Sequence, residues 1–147
     1  HGGTSSILGR GTRAGLPTDQ TGWTVALRHP LRPEQRLAEI RLRDRALGTS
    51  GSGSQFFFHQ GRRYGHILDP RTGRPADVVL SSTVLAPTAA LADALATAFF
   101  VLGLEGATRY CARHPEISAL LVMPDSRAGA TTLHRVNLSN DECVTNA

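Results

Sequence analysis

The run from Pro87 to Gly103, "PTAALADALATAFFVLG", limits the fold more than any other stretch of this chain. It is rich in Ala and Leu with no Gly or Pro between its ends, and it predicts a helix with Thr88 as N-cap and Gly103 as C-terminal stop. The segments before it read differently. "GWTVALRHP" and "RLAEIRLRDRAL" alternate with period two, as half-buried strands do, and the imperfect alternation of Leu37, Ile40 and Leu42 suggests a bulge. "QFFFHQGRRYGHIL" reads as a hairpin turning at Gln60-Gly61, and the Val and Thr content of "DVVLSSTVLAP" favours another strand. After the helix, "EGATRYCARH" reads as a second helix that ends before Pro115. "ISALLVM" and "TTLHRVN" then read as antiparallel neighbours across a "PDSRAGA" loop. The opening "HGGTSSILGRG" reads as a loop or strand edge, and "GTSGSGS" (48–54) as the most flexible composition in the chain. Residues 139–147 read as a polar, frayed tail. Strands, then two helices, then two strands imply an α+β fold: one domain over residues 1–147, its sheet covered by helices on one face.

Composition narrows the function classes. Hydrophobic content of 40% and charged content of 19% are those of a globular chain that buries a core. No uninterrupted apolar run reaches the ~18 residues needed to span a bilayer, and the nearest, "ALADALATAFFVLG", carries Asp93. All 16 basic residues are arginines, scattered and without interleaved aromatics, which argues against a nucleic-acid groove. Arginine suits phosphate recognition, although a compositional bias of the source genome accounts for the same excess. Cys111 and Cys143 are the only 2 cysteines and lack CxxC spacing, which excludes a four-cysteine zinc site within these residues. His1 is not an initiator methionine, so a longer natural protein is expected.

Asp93 and Thr97 stand four apart on the predicted helix and therefore share one face. A carboxylate and a hydroxyl so placed can reach one hard cation. The same spacing also fits a threonine bonding back to its i−4 carbonyl and an aspartate favoured by the helix dipole. Asp93 is, however, the only charged residue in the 16 from Thr88 to Gly103. His66 falls at a strand end beside a turn, where a histidine with its ordinary pKa of ~6.5 can serve as general base or as a plain surface residue. Asp69-Pro70 and Thr72-Gly73 form a turn that structure alone explains. "TSGSGS" offers backbone N–H groups to phosphate oxygens but lacks the lysine of a P-loop.

Together these pieces resemble a known family. "YGHILDPRTGRP", preceded by "GTSG" and followed by "STVLAPTAALADALATAFFVLG", resembles the ApbE family of FAD:protein FMN transferases. There a Thr-Ser-Gly segment leads to a His-Ile-x-Asp-Pro-x-Thr-Gly-x-Pro box, then a strand and an Ala-Asp-Ala-x-x-Thr helix. The likeness runs from Gly2 to about Val122 and corresponds to the C-terminal half of a family member. It implies a T-fold-like antiparallel sheet with helices on one face. It also implies a Mg2+-dependent reaction in which FAD is cleaved, FMN is esterified to a threonine of an acceptor protein, and AMP leaves. FAD pyrophosphatase activity and a non-catalytic flavin- or nucleotide-binding module are the alternative uses of the same parts.

Carried over by residue, the resemblance makes Asp93 and Thr97 side-chain ligands of Mg2+ and His66 the base on the acceptor hydroxyl. Thr49, Ser50 and Gly51 line the flavin site, and Asp69, Thr72 and Gly73, with His66, belong to the cofactor-binding box. Two departures accompany it. Thr4 stands where the family carries an acidic residue, and the upstream half, with its backbone magnesium ligand and flavin contacts, is expected from a longer protein or a second chain. The resemblance also implies a periplasmic or cell-envelope location, with any membrane attachment through an anchor outside these residues.

Overall fold

The computed structural model describes residues 6–11, 22–53, 55–127 and 129–145. In chain order its first elements are β1 (Ser6–Gly9), β2 (Trp23–His29), β3 (Arg32–Leu42), β4 (Arg45–Gly51), β5 (Phe56–His59) and β6 (Arg62–Gly65). There follow β7 (Leu68–Asp69), β8 (Arg74–Pro75), β9 (Ser81–Ala86), α1 (Ala89–Cys111), β10 (Ser118–Pro124), β11 (Thr131–Val136) and β12 (Cys143–Thr145). Five strands form an antiparallel sheet in the order β1-β4-β9-β10-β11, and a second sheet has the order β12-β3-β2. Two small ribbons, β5-β6 and β7-β8, stand outside both.

Successive side chains of a strand point to opposite faces, and the central sheet uses both. Ala46, Val84, Ala86, Ala119 and Leu121 pack on one face with Ala92, Ala96 and Phe99 of α1. Their immediate neighbours Leu47, Leu85 and Leu120 pack on the other face against Ala38, Ile40 and Leu42 of β3 and Cys143 of β12. The expected α+β sheet with its helix on one face is therefore present, and a small sheet closes the opposite face. This double cover explains the unbroken burial of Ser118–Val122, because a strand hidden on both faces has no solvated alternate positions.

The helix obeys its local signals. Thr88 caps it, its Oγ1 accepting from the Leu91 N–H at 3.3 Å. At Gly103 the backbone swings to φ 71°, ψ −170°, which breaks α1 into two helical pieces at the expected stop. By length and composition α1 could cross a membrane, yet it carries the core. Phe99 and Phe100 are each 1% exposed, a burial worth about 1.5–3 kcal/mol per side chain.

The hairpin also forms where expected, with positive φ at Gln60 (49°) and Gly61 (74°), the pair a tight two-residue hairpin turn requires. The irregularity expected in the second strand is present: from Leu27 to Arg28 of β2 the register advances two residues on β3, from Ala38 to Arg36, so Leu37 is the extra residue, and a larger shift precedes the His29–Arg32 pair. Two expectations are corrected. Gly48–Gly51, read as part of a flexible stretch, is the end of β4, paired residue by residue with β9. In the segment read as a frayed tail, Cys143–Thr145 pairs with β3 and Cys143 is buried, while Arg45 holds Glu142 at 3.1 Å. Long-range pairing outweighs local composition in both cases.

Candidate active site

The site begins with a missing side chain. A Cβ on Gly48 would lie 2.6 Å from the backbone carbon of Ala92, so only glycine lets α1 sit this close to β4. That approach brings Ser50 Oγ to 2.9 Å from Thr97 Oγ1. Thr97 donates to the Asp93 carbonyl at 3.3 Å, the back-bond its spacing allowed, so the Ser50 hydroxyl is the donor to Thr97. Thr49, on the opposite face of the strand, meets the Thr83 hydroxyl at 3.0 Å. Asp93 is exposed rather than buried, one helical turn before Thr97 and open to the same cleft.

That cleft has a volume of about 890 Å3. Thr49, Ser50, Gly51, His66, Asp93 and Thr97 all line it, and Ile7, Val25, Leu27 and Leu47 add an apolar wall. Six sequence-predicted residues therefore meet at one place although they span 49 to 97 in the chain. His66 is exposed at the end of the β5-β6 ribbon, with Nδ1 3.1 Å from the Gln55 carbonyl oxygen. A carbonyl only accepts, so Nδ1 carries the proton and the Nε2 lone pair of the neutral ring is left for other work.

The rest of the box turns elsewhere. The Asp69 carboxylate accepts from the Arg71 backbone N–H at 2.9 Å and from the Arg71 guanidinium at 2.7 Å. These bonds to Arg71 hold its carboxyl below the usual aspartate range. The Thr72 and Gly73 N–H groups both donate to the Asp69 carbonyl, Gly73 sits at φ 67°, and Thr72 Oγ1 accepts from the Arg74 N–H at 3.2 Å. Asp69 and Thr72 line a separate depression of about 500 Å3 with Arg63, Arg71, Arg74 and Asp77. In this structure Asp69, Thr72 and Gly73 thus build the turn that carries His66 and do not reach the cleft beside it. Thr4 lies outside the described residues.

Sequence reasoning missed three contributors. Gly48 sits in a composition that signals flexibility, yet its use is close approach. Thr83 carries no local signal, since its partner Thr49 is set by strand register. His29 lines the cleft and is 2% exposed, with Nδ1 accepting from the Leu31 N–H at 3.0 Å. Its Nε2 lies 3.1 Å from both Thr131 Oγ1 and the Arg32 guanidinium. Burial, then the neighbouring Arg32 guanidinium, pushes its pKa down against a smaller opposing effect of Glu34. Only the dipeptide His29-Pro30 at a strand end could have drawn attention to it.

Asp93, Thr97 and Ser50 present a carboxylate and hydroxyls, an all-oxygen set that suits a hard divalent cation. Among the described residues no group of three His, Cys, Asp or Glu side chains is placed to hold a metal. Any such ion would therefore complete its shell with backbone, water or substrate oxygens.

The antiparallel α+β fold is shared with solved ApbE structures. The chain is similar to the ApbE protein of Thermotoga maritima, with a TM-score of 0.65 and 34% identity, covering 78% of this chain and 36% of that one. It is similar to the flavin transferase ApbE of Vibrio cholerae, with a TM-score of 0.64 and 31% identity, covering 83% of this chain and 38% of that one. In sequence it is 41% identical over 111 residues to the FAD:protein FMN transferase of Treponema pallidum, covering 74% of this chain and 31% of the relative. Residues 2–121 match the ApbE family, and the chain belongs to it. It spans about a third of the length of these relatives.

Proposed function

We propose that this chain carries the catalytic corner of an FAD:protein FMN transferase. Asp93 and Thr97 hold Mg2+, and Thr49, Ser50 and Gly51 line the flavin site against the apolar wall of Ile7, Val25, Leu27 and Leu47. The bound cation supplies charge neutralisation at the pyrophosphate, which is most of what phosphoryl transfer asks of a site. His66 Nε2 takes the proton of an acceptor threonine hydroxyl, whose oxygen bonds to the FMN phosphorus. The anhydride P–O bond breaks and AMP leaves with the bridging oxygen. Atoms and charge balance, with FMN esterified to the acceptor protein.

The observation that carries this reading is the meeting of Thr49, Ser50, Gly51, His66, Asp93 and Thr97 on one cleft. The Gln55 carbonyl adds to it by fixing the tautomer that leaves Nε2 basic. The test is AMP release from FAD, with and without Mg2+, in the presence of an acceptor bearing a target threonine. It is run on this chain and on the longer protein that contains it. Mg2+-dependent AMP with an FMN mass gain on the acceptor is the expected result. AMP with no mass gain makes the protein a pyrophosphatase, and FAD binding without AMP from the longer protein makes it a binding module.

A further inference from the structure

Ser82 opens a further step at this corner. It is fully buried, and among the described residues its Oγ is one of the two buried side-chain polar atoms with no hydrogen-bond partner. Its direction follows from the ladder. Val84 and Ala86, two and four residues on, pack in the helix-facing core, so Ser82 points to that face as well. Ser82 is paired directly with Ser50 across β4-β9, and opposed residues of an antiparallel pair place their Cβ atoms ~4.5–5.5 Å apart on one face. Ser50 is the residue whose hydroxyl reaches Thr97 on α1.

A proton inventory gives the orphan hydroxyl a use. Thr97 spends its hydrogen on the Asp93 carbonyl, and Ser50 spends its hydrogen on Thr97 Oγ1. One lone pair of Thr97 remains for a cation, and the lone pairs of Ser50 Oγ remain open to a donor. We infer that Ser82 is a positioning residue for the cation held by Asp93 and Thr97. A rotation about its χ1 completes a hydroxyl chain from Ser82 through Ser50 and Thr97 to the Asp93 carbonyl, and the chain aims the free Thr97 lone pair at the ion. Each bond in such a chain fixes the hydroxyl rotor of the next, which holds Thr97 in the orientation that leaves one lone pair toward the ion. The inference rests on the metal reading above and adds a residue to it that touches neither ion nor substrate.

Mn2+ binding to the longer protein that contains this chain, followed by the paramagnetic resonance signal of the free ion, tests the inference without an activity assay. Ser82→Ala is expected to weaken Mn2+ binding about ten-fold, the usual scale for a partner of a metal ligand. Its metal-free melting temperature should hold or rise, because a buried hydroxyl with no partner costs stability. Ser50→Ala should weaken binding similarly, and the double variant should be no worse than Ser50→Ala alone, since Ser82 acts through Ser50. Unchanged Mn2+ affinity in Ser82→Ala, or losses that simply add, overturns the proposal. So does a fall in melting temperature that accounts for the weaker binding. Asp93→Asn separates the two levels: if it leaves Mn2+ binding intact, or the longer wild-type protein takes up no Mn2+, the metal reading itself falls and the Ser82 proposal with it.

Discussion

The two sides of the cleft are held by different physics. On one side, β4 and the start of α1 meet through core packing so close that Gly48 has no room for a Cβ. On the other, His66 rides on two-residue and four-residue ribbons outside the main sheets, positioned by a carbonyl contact and a local turn. The first arrangement couples the proposed metal corner to global stability. The second lets the proposed base be perturbed by itself. A site built this way separates a rigid electrostatic anchor from a more independent proton acceptor, and substitutions should sort accordingly.

The largest effect is expected for Asp93→Asn. Metal-based charge stabilisation is worth several kcal/mol, so Mg2+-dependent AMP release should fall by about a thousand-fold at 1.36 kcal/mol per decade. Thermal unfolding should barely change, because the side chain is exposed. Undiminished turnover would remove the cation from this corner.

Gly48→Ala tests the packing side directly. The new methyl meets helix backbone rather than a flexible side chain, so a loss of about 3 kcal/mol is expected, at the upper end of core overpacking. A urea midpoint lowered at constant slope would register it. Activity should fall in parallel, since the Ser50–Thr97 contact depends on the same approach. A variant of wild-type stability would show that α1 can shift freely and would dissolve the contrast between the two sides.

His66→Ala should slow transfer about 100-fold or more while FAD affinity and melting temperature stay near wild type, as loss of a general base predicts. Equal loss of binding and rate would make His66 a structural residue. The smallest effect belongs to the turn itself. Asp69→Asn should move the melting temperature by only about 1–2 °C, because the pair lies within one local turn, its Arg71 side is exposed, and asparagine keeps one acceptor oxygen for the Arg71 N–H. The sign of its pH dependence is set by a folded pKa below the ordinary value of 3.8. The Arg71 contacts are thus complete above that value and are lost as pH falls through the lowered one. Amide chemical shifts of Arg71 followed through an acid titration would report it, and a midpoint at or above 3.8 would contradict the pairing.

What could be read from the chain alone was whatever local chemistry specifies. Thr88 and Gly103 marked the helix because capping and a positive φ are decisions of a few adjacent atoms. Gln60-Gly61 and Asp69 to Gly73 marked turns for the same reason. The motif order brought Asp93, Thr97, His66 and the Thr49–Gly51 segment together as candidates. Their convergence in space was left to the fold.

The tertiary structure decided everything set by register and close approach. It made a strand of Gly48–Gly51, because β9 supplied a partner that local composition did not reveal. It docked Cys143–Thr145 as a third strand of the small sheet, and it buried His29 against Thr131, 102 residues away. It also turned Ser82 inward beside Ser50, and Asp69 and Thr72 away from the cleft that their neighbour His66 lines. Local preferences amount to a kcal/mol or less per residue, and strand pairing and core burial outweigh them whenever partners distant in sequence meet.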